Sequence, residues 1–353
     1  MLFRRWTVAD GGVKRYKGNA AEICRQCLED SWNDEKGYQM VSAGHFKVFY
    51  MRDFGWICES MLKLGHKERV KQTLEYALEH YKKKGNITTS INPHGFCFDF
   101  PTYSPDSLAY MLRCLFLLKD KKLVEKYKIF LEKEAKRYFE VAIDKETGLI
   151  KKKKFSSMKD LAVRQSSCYN NCMSFAVSAY LDKLKLKNPL KKYDFKKIIK
   201  KHFWTGEYFL DDLSGSKEIT GDSNVFPFWL GVFDDKAMLK KAIASIRKVK
   251  LDVPFPLKYC RNDLKEQEML GTETMAKDYE RDAVWMHMGP LYIEIVKRVD
   301  NKLAKKYIGQ YTRVIEKHKN FLEVFGPKGE VYKTPFYYTD ESMSWAANYL
   351  TLV

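Results

Sequence analysis

The feature that most constrains this chain is an alternation between two kinds of helical segment. Six segments are apolar on most sides and open just after a polar or aromatic loop, near residues 52, 107, 167, 224, 283 and 340. They alternate with amphipathic, Lys-rich segments such as residues 122–142. A helix that is apolar all round must be buried, whereas an amphipathic helix covers a core with one face. The alternation therefore predicts an inner layer of helices and an outer layer that faces water.

Hydrophobic periodicity predicts about twelve helices in total. Their expected bounds are 20–30, 52–64, 68–83, 107–118, 122–142, 167–184, 194–203, 224–232, 236–246, 283–298, 303–323 and 340–350. Short hairpin strands are expected in the intervening loops, for example at 148–150 and 330–332. Since no linker rich in Pro, Gly and Ser divides the sequence, we predict one domain over residues 1–353.

The chain is basic, with a formal net charge of +18. A positive net charge suggests nucleic acid or an anionic membrane surface as a possible partner. The lysines are spread along helical stretches such as 191–197, however, and a nucleic-acid footprint gathers on one face. With no run of 18 apolar residues, a transmembrane helix is not expected either. We expect no nucleic-acid and no membrane partner.

The cysteines point to a reducing compartment. Cys24 and Cys27 form a CxxC, but no second pair follows at the spacing of a zinc site. The remaining six cysteines of the eight fall mainly in apolar periodic runs, where Cys is a small buried residue. The N-terminus has no apolar stretch typical of a signal peptide. We therefore expect a cytoplasmic protein with reduced thiols, no metal and no cofactor.

Asp106 stands where an aromatic loop, residues 96–101, gives way to an apolar helix. One interpretation is a helix N-cap, because Asp accepts hydrogen bonds from the first free backbone N–H groups. The other is a catalytic carboxyl group. Burial beside aromatic side chains raises a carboxyl pKa, and both Phe100 and Tyr103 precede Asp106 closely.

Three other junctions combine acids, arginine and large aromatic residues, at 49–56, 279–290 and 321–345. If the inner helices begin on the same side of the molecule, these groups converge in one pocket. Aromatic faces and charged groups together suit a sugar. Glycoside hydrolysis needs one protonated and one ionised carboxyl group. Glu323, ahead of a turn and an aromatic loop, is the best partner for Asp106.

In this order the junctions resemble sequence motifs of the six-hairpin glycosidases, a superfamily that includes glucoamylases, neutral invertases, trehalases and processing α-glucosidases. Residues 49–54 resemble the early F-x-x-R-D-F/A motif, and Asp106-Ser107 resembles the acidic motif before an inner helix. Residues 279–285 resemble Y-W-R-G-x-V-W. Leu322-Glu323, followed by Gly329 and Ser344-Trp345, resembles the late motif that supplies a base.

The resemblance implies an all-α, (α/α)6 toroid of six helical hairpins in two concentric layers, with short β-hairpins in its loops. It also implies an inverting glycoside hydrolase that acts on an α-linked glucosyl-type glycoside or a small oligosaccharide. Asp106 would be the general acid and Glu323 the general base. The expected substrate-binding residues are Arg52, Asp53, Tyr103, Trp56, Asn170, Arg281, Trp285 and Trp345.

Several alternatives stay open at the level of sequence. Glu280 and Asp282 replace the usual Trp and Gly of the third motif, so specificity does not transfer. Arg52 and Asp53 are also compatible with a buried structural ion pair. Glu341 is a rival to Glu323, and His287 is expected to be a core histidine. Because fold does not determine function, another carbohydrate-active toroid enzyme (a phosphorylase, epimerase or lyase) or a non-catalytic carbohydrate-binding module is the alternative. The sequence does not predict the sugar, the linkage or the oligomeric state.

Overall fold

The computed structural model describes Val8 and residues 12–261 and 276–353. In this part of the chain there are twelve helices: α1 Ala20–Asp30, α2 Met51–Lys63, α3 Lys67–Lys84, α4 Pro105–Leu118, α5 Lys121–Ala142, α6 Cys168–Lys183, α7 Phe195–Phe203, α8 Gly221–Trp229, α9 Lys236–Lys248, α10 Met288–Lys297, α11 Asn301–His318 and α12 Ala346–Leu350.

The even-numbered helices form a closed inner ring. Each packs against the next, from α2 through α4, α6, α8 and α10 to α12, and α12 packs back against α2. The odd-numbered helices lie outside: α3, α5, α7, α9 and α11 each contact the inner helix before them in the chain, and α1 contacts α12. This arrangement confirms the predicted (α/α)6 toroid in two layers.

Burial follows the two kinds of sequence pattern. All nine residues of the inner helix α8 are buried. The outer helix α3 instead buries a stripe at Val70, Thr73, Leu74, Ala77, Leu78 and Tyr81, the spacing of one helix face. The Lys-rich remainder of α3 faces solvent, which is why the two layers could be told apart in the sequence.

Within the described ranges, seven two-residue strands lie in the connections that lead from an outer helix to an inner one. They are β1 Trp32–Asn33, β2 Tyr38–Gln39, β3 Phe49–Tyr50, β4 Ser90–Ile91, β5 Cys97–Phe98, β6 Val284–Trp285 and β7 Val324–Phe325. All pair antiparallel, in the orders β1–β2, β3–β4–β5 and β6–β7. The hairpins expected at 148–150 and 330–332 are single bridges, Ile143 to Ile150 and Phe325 to Val331.

The pairing of β6 with β7 accounts for two of the errors in the predicted helix bounds. The segment expected to be helical from residue 283 becomes a helix only at Met288, because residues 284–285 form β6. The helix expected to reach Glu323 ends at His318, followed by Lys319 in a left-handed conformation. Glu323 therefore lies in the loop directly before β7. The last helix begins at Ala346 instead of residue 340.

None of the helices in the described ranges is both long and apolar enough to cross a membrane.

Close packing of the inner ring can be tested at Gly55, in α2. A Cβ atom there would lie 2.4 Å from the ring of Tyr110 in α4. Because overpacking forces the backbone apart, we expect Gly55→Ala to lower the free energy of unfolding by ~1–3 kcal/mol in urea denaturation. Gly309→Ala in the outer helix α11 is the matched control, since the nearest atom, of Arg313, is 3.8 Å away. That control should be neutral or stabilising by up to ~1 kcal/mol; equal losses in both variants would contradict the ring packing.

Candidate active site

A cavity of about 450 Å³ opens where the outer-to-inner connections meet. In the described part of the chain, every such connection except the one between α7 and α8 contributes to its wall. The lining residues are Val41, Phe46, Tyr50, Arg52, Asp53, Trp56, Phe100, Met158, Asp160, Leu161, Tyr259, Ala276, Tyr279, Glu280, Trp285, His287, Glu323, Phe336, Tyr337, Met343 and Trp345. The expected convergence of junctions 49–56, 279–290 and 321–345 is thus observed.

Six of the predicted site residues line this cavity: Arg52, Asp53, Trp56, Trp285, Glu323 and Trp345. Four do not: Tyr103, Asp106, Asn170 and Arg281. Tyr103 packs against Phe155 and Arg137. Asn170 is buried in the first turn of α6, and Arg281 lies beside Asp278.

Asp106 is fully buried behind the cavity wall. Its Oδ2 accepts hydrogen bonds from Arg52 Nε at 2.6 Å and from the Tyr169 hydroxyl at 2.9 Å. Its Oδ1 accepts one from the Ser104 hydroxyl at 2.6 Å. This geometry argues against Asp106 as a proton donor to substrate, because both of its oxygens accept hydrogen bonds from protein groups and Asp106 is not among the residues that line the cavity. The N-cap alternative is also wrong, since Ser104 occupies that position and Asp106 lies in the first turn.

Asp160 is the acid that reaches the cavity beside Arg52. It lies in the connection between α5 and α6, its side chain is 24% exposed, and its Oδ1 is 3.4 Å from Arg52 Nη2. Burial raises the pKa of Asp160, whereas the Arg52 guanidinium opposes that rise. The sequence does not single out Asp160, because its loop lacks the aromatic motif of the other junctions. Its one usable signal was an acid in a long loop before an inner helix.

Glu280 holds the loop that carries Asp160. Its two carboxylate oxygens accept hydrogen bonds from three consecutive backbone N–H groups: Asp160 at 2.6 Å, Leu161 at 2.8 Å and Ala162 at 3.0 Å. On the other side of the loop, Lys154 Nζ donates to the carbonyl oxygens of Asp160 and Ala162. Burial, together with the charge of Asp160, raises the pKa of Glu280 to about 7. Glu280, one of the two residues that depart from the resembled motif, therefore clamps the backbone of the Asp160 loop.

Glu323 is positioned by its own loop and by two tyrosines. Its backbone N–H donates to the Asp340 carbonyl at 3.0 Å. Its side chain accepts hydrogen bonds from the hydroxyls of Tyr279 and Tyr337 and from the Asp340 N–H. Burial raises the pKa of Glu323 to about 7, and the three donors oppose that rise because they favour the ionised form. The rival Glu341 accepts instead from the Lys14 N–H and is outside the cavity lining.

Arg52 and Asp53 do not pair with each other. Arg52 forms ion pairs with Asp106 and Asp160. Asp53 accepts a hydrogen bond from Trp345 Nε1 at 3.0 Å, and burial raises the pKa of Asp53 to about 7. The alternative of an Arg52–Asp53 ion pair is therefore wrong, and the two side chains face the cavity as separate polar groups.

The apolar wall is built around His287. Its ring stacks on Trp56, with centroids 4.4 Å apart and planes 6° apart. Trp285 and Trp345 contact the same ring edge to face, at 5.0 and 4.9 Å. Burial lowers the pKa of His287 well below its usual value, and the Arg52 charge adds to this effect. His287 is a buried residue, as expected, but it also forms part of the cavity surface.

Among the described residues, no group of three or more His, Cys, Asp or Glu side chains is arranged to hold a metal ion.

The sequence matches no protein-family profile and no curated relative. Solved structures do match the fold. A GH63 mannosylglycerate hydrolase from Thermus thermophilus, in complex with glucose, aligns with a TM-score of 0.66 at 13% identity, over 93% of this chain and 98% of its own. A glycosidase variant in complex with glucose gives 0.67 at 10% identity, over 94% of this chain and 95% of its own. A bacterial glucoamylase complexed with acarbose gives 0.62 at 13% identity, over 94% of this chain and 54% of its own.

These similarities identify the class of fold. The chain has the (α/α)6 toroid of the six-hairpin glycosidases, which confirms the fold that the motif resemblance implied. At these identities the likeness concerns the fold, and the chemistry has to be argued from the cavity.

The clamp on the Asp160 loop can be tested with Glu280→Gln. An amide offers one acceptor oxygen where the carboxylate offers two, so at least one backbone N–H loses its partner. We expect the free energy of unfolding to fall by ~1–3 kcal/mol, and the amides of residues 160–162 to exchange faster with deuterium. Glu207→Gln, at an exposed turn, is the control and should change neither quantity. Unaltered exchange at 160–162 in Glu280→Gln would contradict the clamp.

Proposed function

We propose that this protein is an inverting glycoside hydrolase that acts on an α-linked glucosyl-type glycoside or a small oligosaccharide. The observation that carries the proposal is a cavity with tryptophan walls in which two of the four described lining acids, Asp160 and Glu323, have different surroundings. Asp160 has a cation beside it and is partly open to solvent. Glu323 is buried and accepts hydrogen bonds from two tyrosines. Inverting hydrolysis uses two such carboxyl groups in opposite roles.

Asp160 takes the role of general acid that the sequence analysis assigned to Asp106. A general acid must reach the leaving oxygen and be protonated before the reaction. Asp160 lies on the cavity surface, and burial raises its pKa. Asp106 instead supports Arg52 from behind.

Glu323 is the proposed general base. A base must be ionised and must hold water in a fixed direction. A pKa of about 7 leaves a substantial ionised fraction at neutral pH and makes the carboxylate a better proton acceptor than an ordinary Glu. The Tyr279 and Tyr337 hydroxyls fix its orientation. Inversion requires the two carboxyl groups to be about 6.5–9.5 Å apart, with the attacking water between the sugar and the base.

The remaining lining residues suit a single sugar ring. Arg52 and Asp53 would bond to its hydroxyl groups, and Trp56, Trp285 and Trp345 would cover its apolar faces. A glucosyl group is favoured because similar folds have been solved with glucose or acarbose bound. The proposed partner is therefore a carbohydrate substrate.

Phosphorolysis is the second candidate, and the lining disfavours it. A phosphorylase needs a basic pocket for phosphate in place of the base. Among the described lining residues Arg52 is the only Lys or Arg, and Asp106 and Asp160 already pair with it. Glu323 would repel a phosphate anion. Hydrolysis by water is the better fit.

The roles of the two aspartates are separated by leaving-group dependence. We expect Asp160→Asn to lower kcat on maltose by about 10²–10⁴, since maltose needs protonation of its leaving oxygen. On α-glucosyl fluoride, whose fluoride leaves without a proton, the loss should be far smaller. Steady-state kinetics on both substrates measures the difference.

The matched variant is Asp106→Asn, which removes the carboxylate behind Arg52. Because that variant disturbs sugar binding and not proton donation, we expect similar losses on maltose and on α-glucosyl fluoride. The opposite pattern, with selective loss in Asp106→Asn and equal losses in Asp160→Asn, would return the acid role to Asp106.

The tyrosine hydroxyls make a prediction about pH. Tyr337→Phe removes a donor that favours the ionised form of Glu323, so the pKa of Glu323 should rise by about one unit. Since the base acts when ionised, the acid limb of the kcat/KM profile should move to higher pH by the same amount. Tyr332→Phe is the control, because that hydroxyl donates to the Lys277 carbonyl and not to Glu323. An acid limb that stays in place in Tyr337→Phe would exclude Glu323 as the ionising base.

A further inference from the structure

Exposed aromatic side chains concentrate at the mouth of the cavity. Seven large hydrophobic residues are exposed in the described part of the chain, and four of them are phenylalanines: Phe96, Phe98, Phe100 and Phe336. All four lie on two loops that border the cavity, and Phe100 and Phe336 contribute to its lining. Exposed apolar groups gathered in one place mark an interaction site more often than scattered ones do.

Three of these residues form a row on the hairpin that includes β4 and β5; we call Phe96, Phe98 and Phe100 the aromatic strip. Successive residues of an extended segment point to opposite faces. The strip residues are 69%, 37% and 47% exposed, whereas Cys97 between them packs against the core. Exposure alternates along residues 96–100, which places the three rings on one face of the hairpin. The strip therefore leads from the cavity mouth at Phe100 toward the hairpin tip at Phe96.

Hydrogen bonds within the hairpin hold its shape. At its tip, the Asn92 side chain accepts hydrogen bonds from the N–H groups of His94 and Phe96. At its base, Asp99 accepts from the N–H and the hydroxyl of Thr89. A rigid platform binds with a smaller loss of conformational entropy than a loose loop.

We propose that the aromatic strip binds the sugar units on the leaving-group side of the scissile bond, so that the substrate is an oligosaccharide that extends beyond the cavity. The proposal rests on the proposed function and deepens it. The cavity holds the sugar that is released, and the strip begins where the next unit must emerge.

The shape of the strip favours a saccharide over other apolar ligands. A sugar ring presents one apolar face to an aromatic ring and keeps its hydroxyl groups in water, so an open row of rings suffices. A lipid chain would need an enclosed groove, whereas Phe96 is two-thirds exposed. Several exposed rings on one face also suit a ligand with repeating units.

The test compares kcat/KM for maltoheptaose and maltose in the wild-type protein and in Phe96→Ala/Phe98→Ala. We expect the maltoheptaose-to-maltose ratio to fall about tenfold in the double variant. Ile129→Ala is the matched control: Ile129 is 85% exposed on the outer helix α5, away from the cavity, and its loss should leave the ratio unchanged. Phe96→Ser alone, at the hairpin tip, should lower the same ratio by a smaller amount. This single variant keeps the test valid if the double variant does not fold.

A ratio unchanged in both Phe variants would overturn the proposal. So would light scattering that shows a wild-type dimer and a monomeric double variant, because the strip would then be a contact between two copies of this chain. Calorimetric titration with maltoheptaose separates this proposal from the hydrolase itself. If the wild-type protein binds maltoheptaose but hydrolyses neither substrate, the proposed function is wrong. If the double variant binds maltoheptaose as tightly as the wild-type protein does, the proposed role of the aromatic strip is wrong.

Discussion

The ion pair between Arg52 and Asp106 is the interaction on which the active-site end of the toroid depends. It joins the first turns of α2 and α4, two neighbouring helices of the inner ring, and both of its side chains are buried. Removing one partner of such a pair leaves an unpaired buried charge, at a cost of ~3–5 kcal/mol. The same guanidinium extends to Asp160 on the cavity surface. A structural ion pair thus sets the position of the Arg52 guanidinium. This cation contacts the proposed general acid, Asp160, and would also contact a bound substrate.

The two proposed catalytic carboxyl groups are held by elements distant in sequence. Glu280 fixes the backbone around Asp160 from 120 residues further along the chain. Glu323 is held by Tyr279 and Tyr337. The connection between α9 and α10 therefore orients both groups, through adjacent residues 279 and 280. The two departures from the resembled motif therefore differ in their relation to the cavity. Glu280 contacts the Asp160 loop, whereas Asp282 is not among the lining residues.

The fold could be predicted from the sequence because burial leaves a periodic trace. Inner helices are apolar on most sides and outer ones on a single stripe, and this difference is local. Glu323, Arg52 and the tryptophans could also be predicted to meet in one cavity, since their motifs combine acids with aromatic residues in or beside the outer-to-inner connections. The helix bounds near 283 and 323 could not be predicted, because the pairing of β6 with β7 joins segments about forty residues apart.

The choice of general acid between Asp106 and Asp160 could not be predicted from the sequence. Asp106 lies in the first turn of one inner helix and Asp160 in the loop before the next, and both contact Arg52. Which one faces the cavity depends on side-chain contacts with Tyr169 and Ser104 in one case, and on the backbone clamp by Glu280 in the other. Neither relation follows from spacing or composition. Only the three-dimensional arrangement distinguishes the supporting carboxylate from the exposed one.

The central claim is that Asp160 and Glu323 act across one sugar as acid and base, with water as the nucleophile. Proton NMR of the glucose first formed by the wild-type protein from α-glucosyl fluoride, which has a single sugar unit, tests this most directly. A single displacement by water inverts the anomeric carbon, so β-glucose should appear first and convert slowly to the equilibrium mixture. Initial release of α-glucose would require a covalent intermediate and would contradict the account.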